Sequence, residues 1–363
     1  MLLQYESFHT VFSAPESMKK RLRHCIKGRI PKVDAVRDAL GTVRPREAEE
    51  IFDSTVGKVY QNAVLRGGTI GGYVTAAVDG VELYSSMKKP CKDCLTRKGA
   101  SGKKEYFHRS VVCATVGDNP HLILGQEMLH PRDGGEKDEG ELTGGKRLVK
   151  KLYGKYGHFA DVLVADGLYL NAPFLKTVQG CHMEAVVRLK DERRQIFRDA
   201  EDLFEKGEGR RKGFQRGKRR IECWDLAGFE MEGMEKKVRV VRYCEHIKLK
   251  AGREEEKWMW LVTTSEEIPR EVLWKMMHKR WDIEENAFHQ LKTYYHAGHC
   301  YCHKGLEVIF YLTLTAFNIR ELYLYRRMHS FESSGITRKS VTRRWRDDLQ
   351  SEDYRELLYK ETG

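Results

Sequence analysis

An α/β fold built on a mixed sheet with flanking helices is predicted by three observations. Two apolar runs, Tyr73–Gly80 (YVTAAVDG) and Asp161–Tyr169 (DVLVADGLY), each read as a short strand that closes on an aspartate, Asp79 and Asp166. Strands come first along the chain and then alternate with helices, the order expected of a mixed sheet. The stretch Lys279–Lys292 (KRWDIEENAFHQLK) has no Gly or Pro and sets Ile283, Ala287 and Leu291 along one stripe, so it reads as a helix.

Residues 1–66 form a helical, basic N-terminal region, with helices expected at Ala35–Leu40 and Ala48–Val64. Its stretch Met18–Ile30 crowds Lys and Arg around a few apolar positions; a small DNA-binding bundle and a solvated lead-in both fit. The first part of the core spans 67–190. It opens on a hinge at Gly67, Gly68, Gly71 and Gly72 and continues from the Asp79 strand to strands at Tyr106–Val116 and His121–Met128. A Gly-rich loop, Leu129–Gly140, leads to a helix over Glu141–Tyr156, where Leu148, Val149 and Leu152 keep helical spacing. The Asp166 strand, a short helix at Asn171–Val178 and a strand at Met183–Leu189 follow.

The pattern then breaks over 191–268. Glu201–Gly217 reads as a charged, Gly-rich loop, and three strand-like runs follow at Arg220–Leu226, Lys237–His246 and Lys257–Thr264. A β-rich insertion thus precedes the Glu284 helix. The core closes over 269–330 with a further apolar helix at Gly305–Arg327, and 331–363 is a polar, basic tail.

The net charge of +12 and a pI near 9.1 favour a polyanionic partner, most simply nucleic acid. A mean hydropathy of -0.60 argues against a membrane protein, and the longest apolar run, Leu306–Ile319, is too short to span a bilayer. No secretory pattern opens the chain, and an odd count of nine cysteines suits reduced thiols, so a cytoplasmic protein, at the nucleoid when bound to DNA, is expected.

Two strand-borne carboxylates together with a helical Glu suit a two-metal phosphodiester site, because hard carboxylate oxygens bind Mg2+ with few protein ligands. Arg280 and Glu284 are four residues apart and share a helical face, which a plain surface ion pair would also produce. Lys206, Arg210, Arg211, Lys212, Arg216, Lys218, Arg219 and Arg220 crowd one stretch, either a solvated loop or a track for a phosphate backbone. Trp258 and Trp260 fall on one face of a strand. Cys91 and Cys94 have zinc-ligand spacing, and a second group, His299, Cys300, Cys302 and His303, could complete a structural Zn2+ site; reduced thiols in a loop are the alternative.

From about Gly67 to Tyr325 the chain resembles the DDE transposases of bacterial insertion sequences. The likeness is to the branch with a β-rich insertion and a Tyr-Arg-Glu-Lys signature, and it rests on AAVDG, CKDCLTRK, GELTGGKRLVKKL, VLVADGLYLNAPF, RLKDERR and RWDIEENAFHQLK in that order. It implies an RNase H-like core interrupted before the catalytic Glu helix. It also implies Asp79, Asp166 and Glu284 as acids that hold two Mg2+ ions, Mn2+ being a substitute. Arg280 and Lys292 would hold phosphates, and Trp260 would stack on a flipped base, with core packing as the competing role. The implied reaction frees a 3′-OH at the element's ends and joins it to target DNA, with a homodimer on double-stranded DNA. Met277 stands where the signature has Tyr, and Lys292 comes one residue late counted from Glu284, so Glu284 and Glu285 both stay open as the third acid. A stand-alone metal-dependent DNA nuclease of the same fold, or a non-catalytic DNA-binding relic, are the rival readings.

Overall fold

The computed structural model describes residues 33–88, 90–99, 102–132, 138–248, 253–299 and 303–348. The basic stretch Met18–Ile30 and tail residues 349–363 lie outside them. Helices α1 (Val33–Leu40) and α2 (Pro45–Gln61) precede strands β1 (Thr75–Ser86), β2 (Leu95–Lys98), β3 (Lys104–Thr115) and β4 (Ile123–Met128). Next come α3 (Glu141–Tyr156), β5 (Val162–Ala165), α4 (Ala172–Gly180), β6 (Glu184–Arg188) and α5 (Gln195–Glu205). Strands β7 (Arg210–Arg216), β8 (Arg219–Phe229), β9 (Val238–Lys248) and β10 (Glu254–Thr263) lead to α6 (Arg270–Lys279). A π-helical segment (Ile283–Phe288), α7 (His289–Tyr294), α8 (Leu306–Arg326), α9 (Met328–Ser333) and α10 (Arg338–Asp348) close the described chain.

The chain divides into two compact units. The larger comprises Val59–Val81 and Ser110–Glu284. Its sheet centres on β1, β5 and β6, which run parallel. All four residues of β5, VLVA, are buried, as a strand covered on both faces requires. Beyond β6 the sheet continues through β10, β9, β8 and β7, all antiparallel, so the insertion extends the core sheet rather than standing apart from it. On the other side β1 neighbours β3, whose C-terminal half carries β4. Helix α3 lies close because of Gly144 and Gly145. A Cβ on Gly144 would come within 2.4 Å of Leu129, and one on Gly145 within 2.9 Å of the Tyr169 ring.

Three sequence expectations change here. Strand β1 does not end at Asp79 but runs on to Ser86. The charged stretch Glu201–Gly217, expected as a loop, opens on the last turn of helix α5 and contains strand β7. Strand β7 is almost wholly exposed, an edge whose Lys and Arg side chains disfavour pairing with another chain. Its one inward residue, Phe214, rests edge-on against Trp274 at 6.0 Å. Lastly, Lys279–Lys292 is not a single α-helix: α6 stops at Lys279 and the chain widens into the π segment before α7.

The smaller unit comprises the described parts of Met1–Lys58, Glu82–Arg109 and Glu285–Gly363. Strand β2 pairs with the first half of β3, Leu95 opposite Phe107. Its helices pack around α8, where Phe52 of α2 meets Tyr311 at 5.8 Å. Arg320, fully buried, donates to Glu321 at 2.9 Å, to Thr342 at 3.2 Å and to Gln290, which ties α7, α8 and α10 together. A buried guanidinium needs such partners, because an unpaired charge in a core is costly. Among the described residues no helix is long and apolar enough to cross a membrane.

Candidate active site

The register of the parallel pair β1–β5 places the first two acids. Val78 lies opposite Ala165, so the next residues, Asp79 within β1 and Asp166 just past the end of β5, stand at the same level. Adjacent strands are about 4.8 Å apart and same-level residues share a face. Asp79 accepts a hydrogen bond from the Gly80 N–H at 2.9 Å. Asp166 stands at the head of a short 3-10 turn, Gly167–Tyr169, yet its carboxylate does not cap that turn. It pairs instead with Lys190, whose Nζ is 2.7 Å from Oδ1.

Arg280 follows α6 directly and is only 3% exposed. Its Nη1 donates to Glu284 Oε1 at 3.3 Å and to Asp79 Oδ2 at 3.5 Å, so one nitrogen spans the strand acid and the helix acid. The turn that carries both residues is pinned by Asp282, which accepts from the Gly117 N–H at 3.0 Å and pairs with Lys279 at 3.4 Å. Glu285 is exposed. The π segment begins one residue before Glu284. A π turn takes up one residue more than an α turn, which is the one residue by which Lys292 is late counted from Glu284.

The charges of the site do not balance. Burial pushes the Asp79 carboxyl up to about 6; the Gly80 N–H and Arg280 work against that shift, while Glu141 and Glu284 reinforce it. Burial acts on Asp166 in the same sense, but the Lys190 hydrogen bond, the Gly167 N–H and the nearby Arg280 outweigh it and hold Asp166 below the usual carboxylate range. Glu141, at the first turn of α3, is a buried fourth acid whose Oε1 accepts from the Tyr169 hydroxyl at 2.9 Å. Sequence reasoning did not single it out, because an acid opening a helix reads as a complement to the helix dipole. Four carboxylates thus face two cations, Arg280 and Lys190, and a divalent cation would supply the missing charge and reverse the rise at Asp79. The donor set, all hard oxygens, fits Mg2+ or Mn2+.

A family model described as a transposase DDE domain matches residues 52–319, most of the chain. The chain belongs to the DDE transposase family. No curated protein matches it significantly. The mixed sheet with flanking helices is the RNase H-like fold of such a transposase, and DNA is its partner.

The other residues singled out from the sequence of the transposase fall into several environments. Arg210, Arg211 and Lys212 are exposed on the edge strand β7. Lys292 is exposed on α7, in the smaller unit. Cys91, Cys94 and His303 gather in the smaller unit, where His108 joins them. His299 is exposed and outside that group, while Cys300 and Cys302 lie outside the described residues. Trp260, expected to meet a flipped base, is buried: Phe197 and Phe204 of α5 cover it, with ring centroids at 4.4 Å and 5.6 Å. Its neighbour on the same face, Trp258, is 48% exposed. Between them lies the Arg242 guanidinium, 4.1 Å from the Trp224 ring and 5.2 Å from each of Trp258 and Trp260. The exposed aromatic of this face is therefore Trp258, and Trp260 is a core side chain.

Thermal unfolding of two variants separates these roles. Trp260→Ala removes a buried ring and is expected to cost about 3–5 kcal/mol of stability, lowering the melting temperature and every activity together. Trp258→Ala is expected to leave the melting temperature almost unchanged. Equal losses of stability in both variants would contradict the assignment.

Proposed function

We propose that the transposase cleaves one strand at the ends of its element and transfers the freed 3′-OH to target DNA, with Asp79, Asp166 and Glu284 as the catalytic acids. The observation that carries this reading is the convergence of strand and helix acids on the buried Arg280. Asp79 would hold two divalent ions, and Asp166 and Glu284 one each. Bound there, Mg2+ or Mn2+ supplies activation of the attacking oxygen and stabilisation of the leaving one.

In the first step water attacks the phosphorus, the P–O3′ bond breaks, and the departing oxygen takes a proton to become the 3′-OH. In the second, that 3′-OH loses its proton and attacks a target phosphodiester, whose own 3′ oxygen leaves. Arg280 offsets part of the charge of Asp79 and Glu284 and would hold a phosphate flanking the scissile bond in the complex, a task suited to a planar guanidinium. Lys292 is the second phosphate contact. Glu141 acts through Tyr169 as a positioning residue for the turn after Asp166. Arg210, Arg211 and Lys212 track the DNA backbone outside the site. Two ends must be held at once, which calls for a homodimer on DNA.

The acid assignment is tested by nicking assays on end DNA with Mg2+. Asp79→Ala and Glu284→Ala should abolish nicking while end binding persists, and Glu285→Ala should nick normally. Nicking at the wild-type rate by either of the first two, or its loss in Glu285→Ala alone, would overturn the assignment. Strand transfer of the nicked end in the same reaction distinguishes a transposase from a plain nuclease.

The role of β7 is read from salt dependence. Each phosphate neutralised on duplex DNA contributes about 0.9 to the slope of log affinity against log salt. Replacing Arg210, Arg211 and Lys212 together by Ala should make that slope shallower by roughly two to three. An unchanged slope would mean that β7 does not touch DNA.

A further inference from the structure

Away from the acids, the smaller unit holds a second group of metal-ligating side chains, built from two chain segments far apart in sequence. Cys91 and Cys94 come from the turn that leads into β2, His108 from β3, and His303 from the approach to α8. One donor atom from each lies within 4.8 Å of all the others. Cys94 and His108 are nearly inaccessible, at 4% and 3% exposure. The two sulfurs are 3.4 Å apart, and each is 3.2 Å from His108 Nε2.

These distances exclude a disulfide, whose S–S bond is about 2.05 Å. They approach the edges of a tetrahedron around zinc, where Zn–S bonds of about 2.3 Å put two sulfurs roughly 3.8 Å apart. Two soft thiolates with two imidazoles form a donor set that selects zinc over Mg2+. Surrounding contacts orient the ligands as such sites require. The Cys91 N–H donates to Cys94 Sγ at 3.3 Å, and the Tyr84 ring meets the His303 ring edge-on at 5.0 Å.

We infer that Cys91, Cys94, His108 and His303 form a structural zinc site that clips segment 82–109 to segment 285–348 within the smaller unit. The clip is a cross-link between two segments of one chain far apart in sequence, and closing so long a loop is where such a link stabilises most. Binding the ion releases one proton from each thiol, so the ion and its four ligands carry no net charge in the core. The segments it joins continue directly into the strand bearing Asp79 and the turn bearing Glu284. The inference is independent of the proposed chemistry, since its ion neither touches DNA nor takes part in a step.

Elemental analysis of the full chain, purified under reducing conditions and dialysed with a weak chelator, tests the site. One zinc per chain is expected. Cys94→Ser and His108→Ala should lose it and unfold at lower temperature, whereas His108→Cys should keep it. His299→Ala should also keep it, which separates this ligand set from the cluster suggested by sequence spacing. Co2+ exchanged into the wild type should show thiolate-to-cobalt charge transfer and the intense d–d bands of a tetrahedral centre. Zinc-free wild-type protein, a Cys91–Cys94 disulfide in its peptide map, zinc retained by His108→Ala, or zinc lost from His299→Ala would each overturn the proposal. Cobalt without charge transfer would do so even if the variants fail to fold.

Discussion

A guanidinium that is 3% exposed, held between a strand aspartate and a helix glutamate, is the constraint on which the candidate active site depends. Burying Arg280 alone would be very costly, and the partly buried Asp79 and Glu284 supply its counter-charges. Even so the acids remain in excess: burial raises the Asp79 carboxyl to about 6, and Glu141 and Glu284 add to that rise. A site left short of positive charge in the protein alone is one that divalent ions and the cations around them can complete.

The geometry that creates this constraint comes from ordinary packing. A fully buried β5 fixes its register against β1, and the register sets Asp79 and Asp166 level. Two adjacent glycines let α3 approach until Glu141 reaches the Tyr169 hydroxyl. Asp282 holds the start of the π segment to the loop after β3 through the Gly117 N–H. The site is thus assembled from four separate stretches, each positioned by its own local bond or close approach.

Much of this was legible in the sequence, and the exceptions share a cause. Apolar runs closing on Asp79 and Asp166, and the spacing of Arg280 and Glu284, are local patterns and were readable as such. The π segment was not, because a widened turn leaves the composition of a helix unchanged; its trace was the one-residue lateness of Lys292. Strand alternation put Trp258 and Trp260 on one face, but which of them is covered depends on Phe197 and Phe204. Those residues belong to α5, whose end, with Phe204, falls in the charged stretch Glu201–Gly217 that suggests only a loop. His108 escaped notice for a similar reason. A lone histidine inside a strand has no spacing signal, and only the folded chain brings it to Cys91 and Cys94.

The central claim, that Asp79, Asp166 and Glu284 surround one divalent-ion site, is tested most directly by iron-mediated self-cleavage. Fe2+ replaces Mg2+ in the transposase, and ascorbate with hydrogen peroxide generates hydroxyl radical at the ion, so the chain is cut where the ion sits. Mass spectrometry of the fragments then maps the site. The account predicts cuts close to Asp79, Asp166 and Glu284, all suppressed by excess Mg2+ and all lost together in Glu284→Gln. Cuts confined to other parts of the chain, or an unchanged pattern in Glu284→Gln, would contradict it.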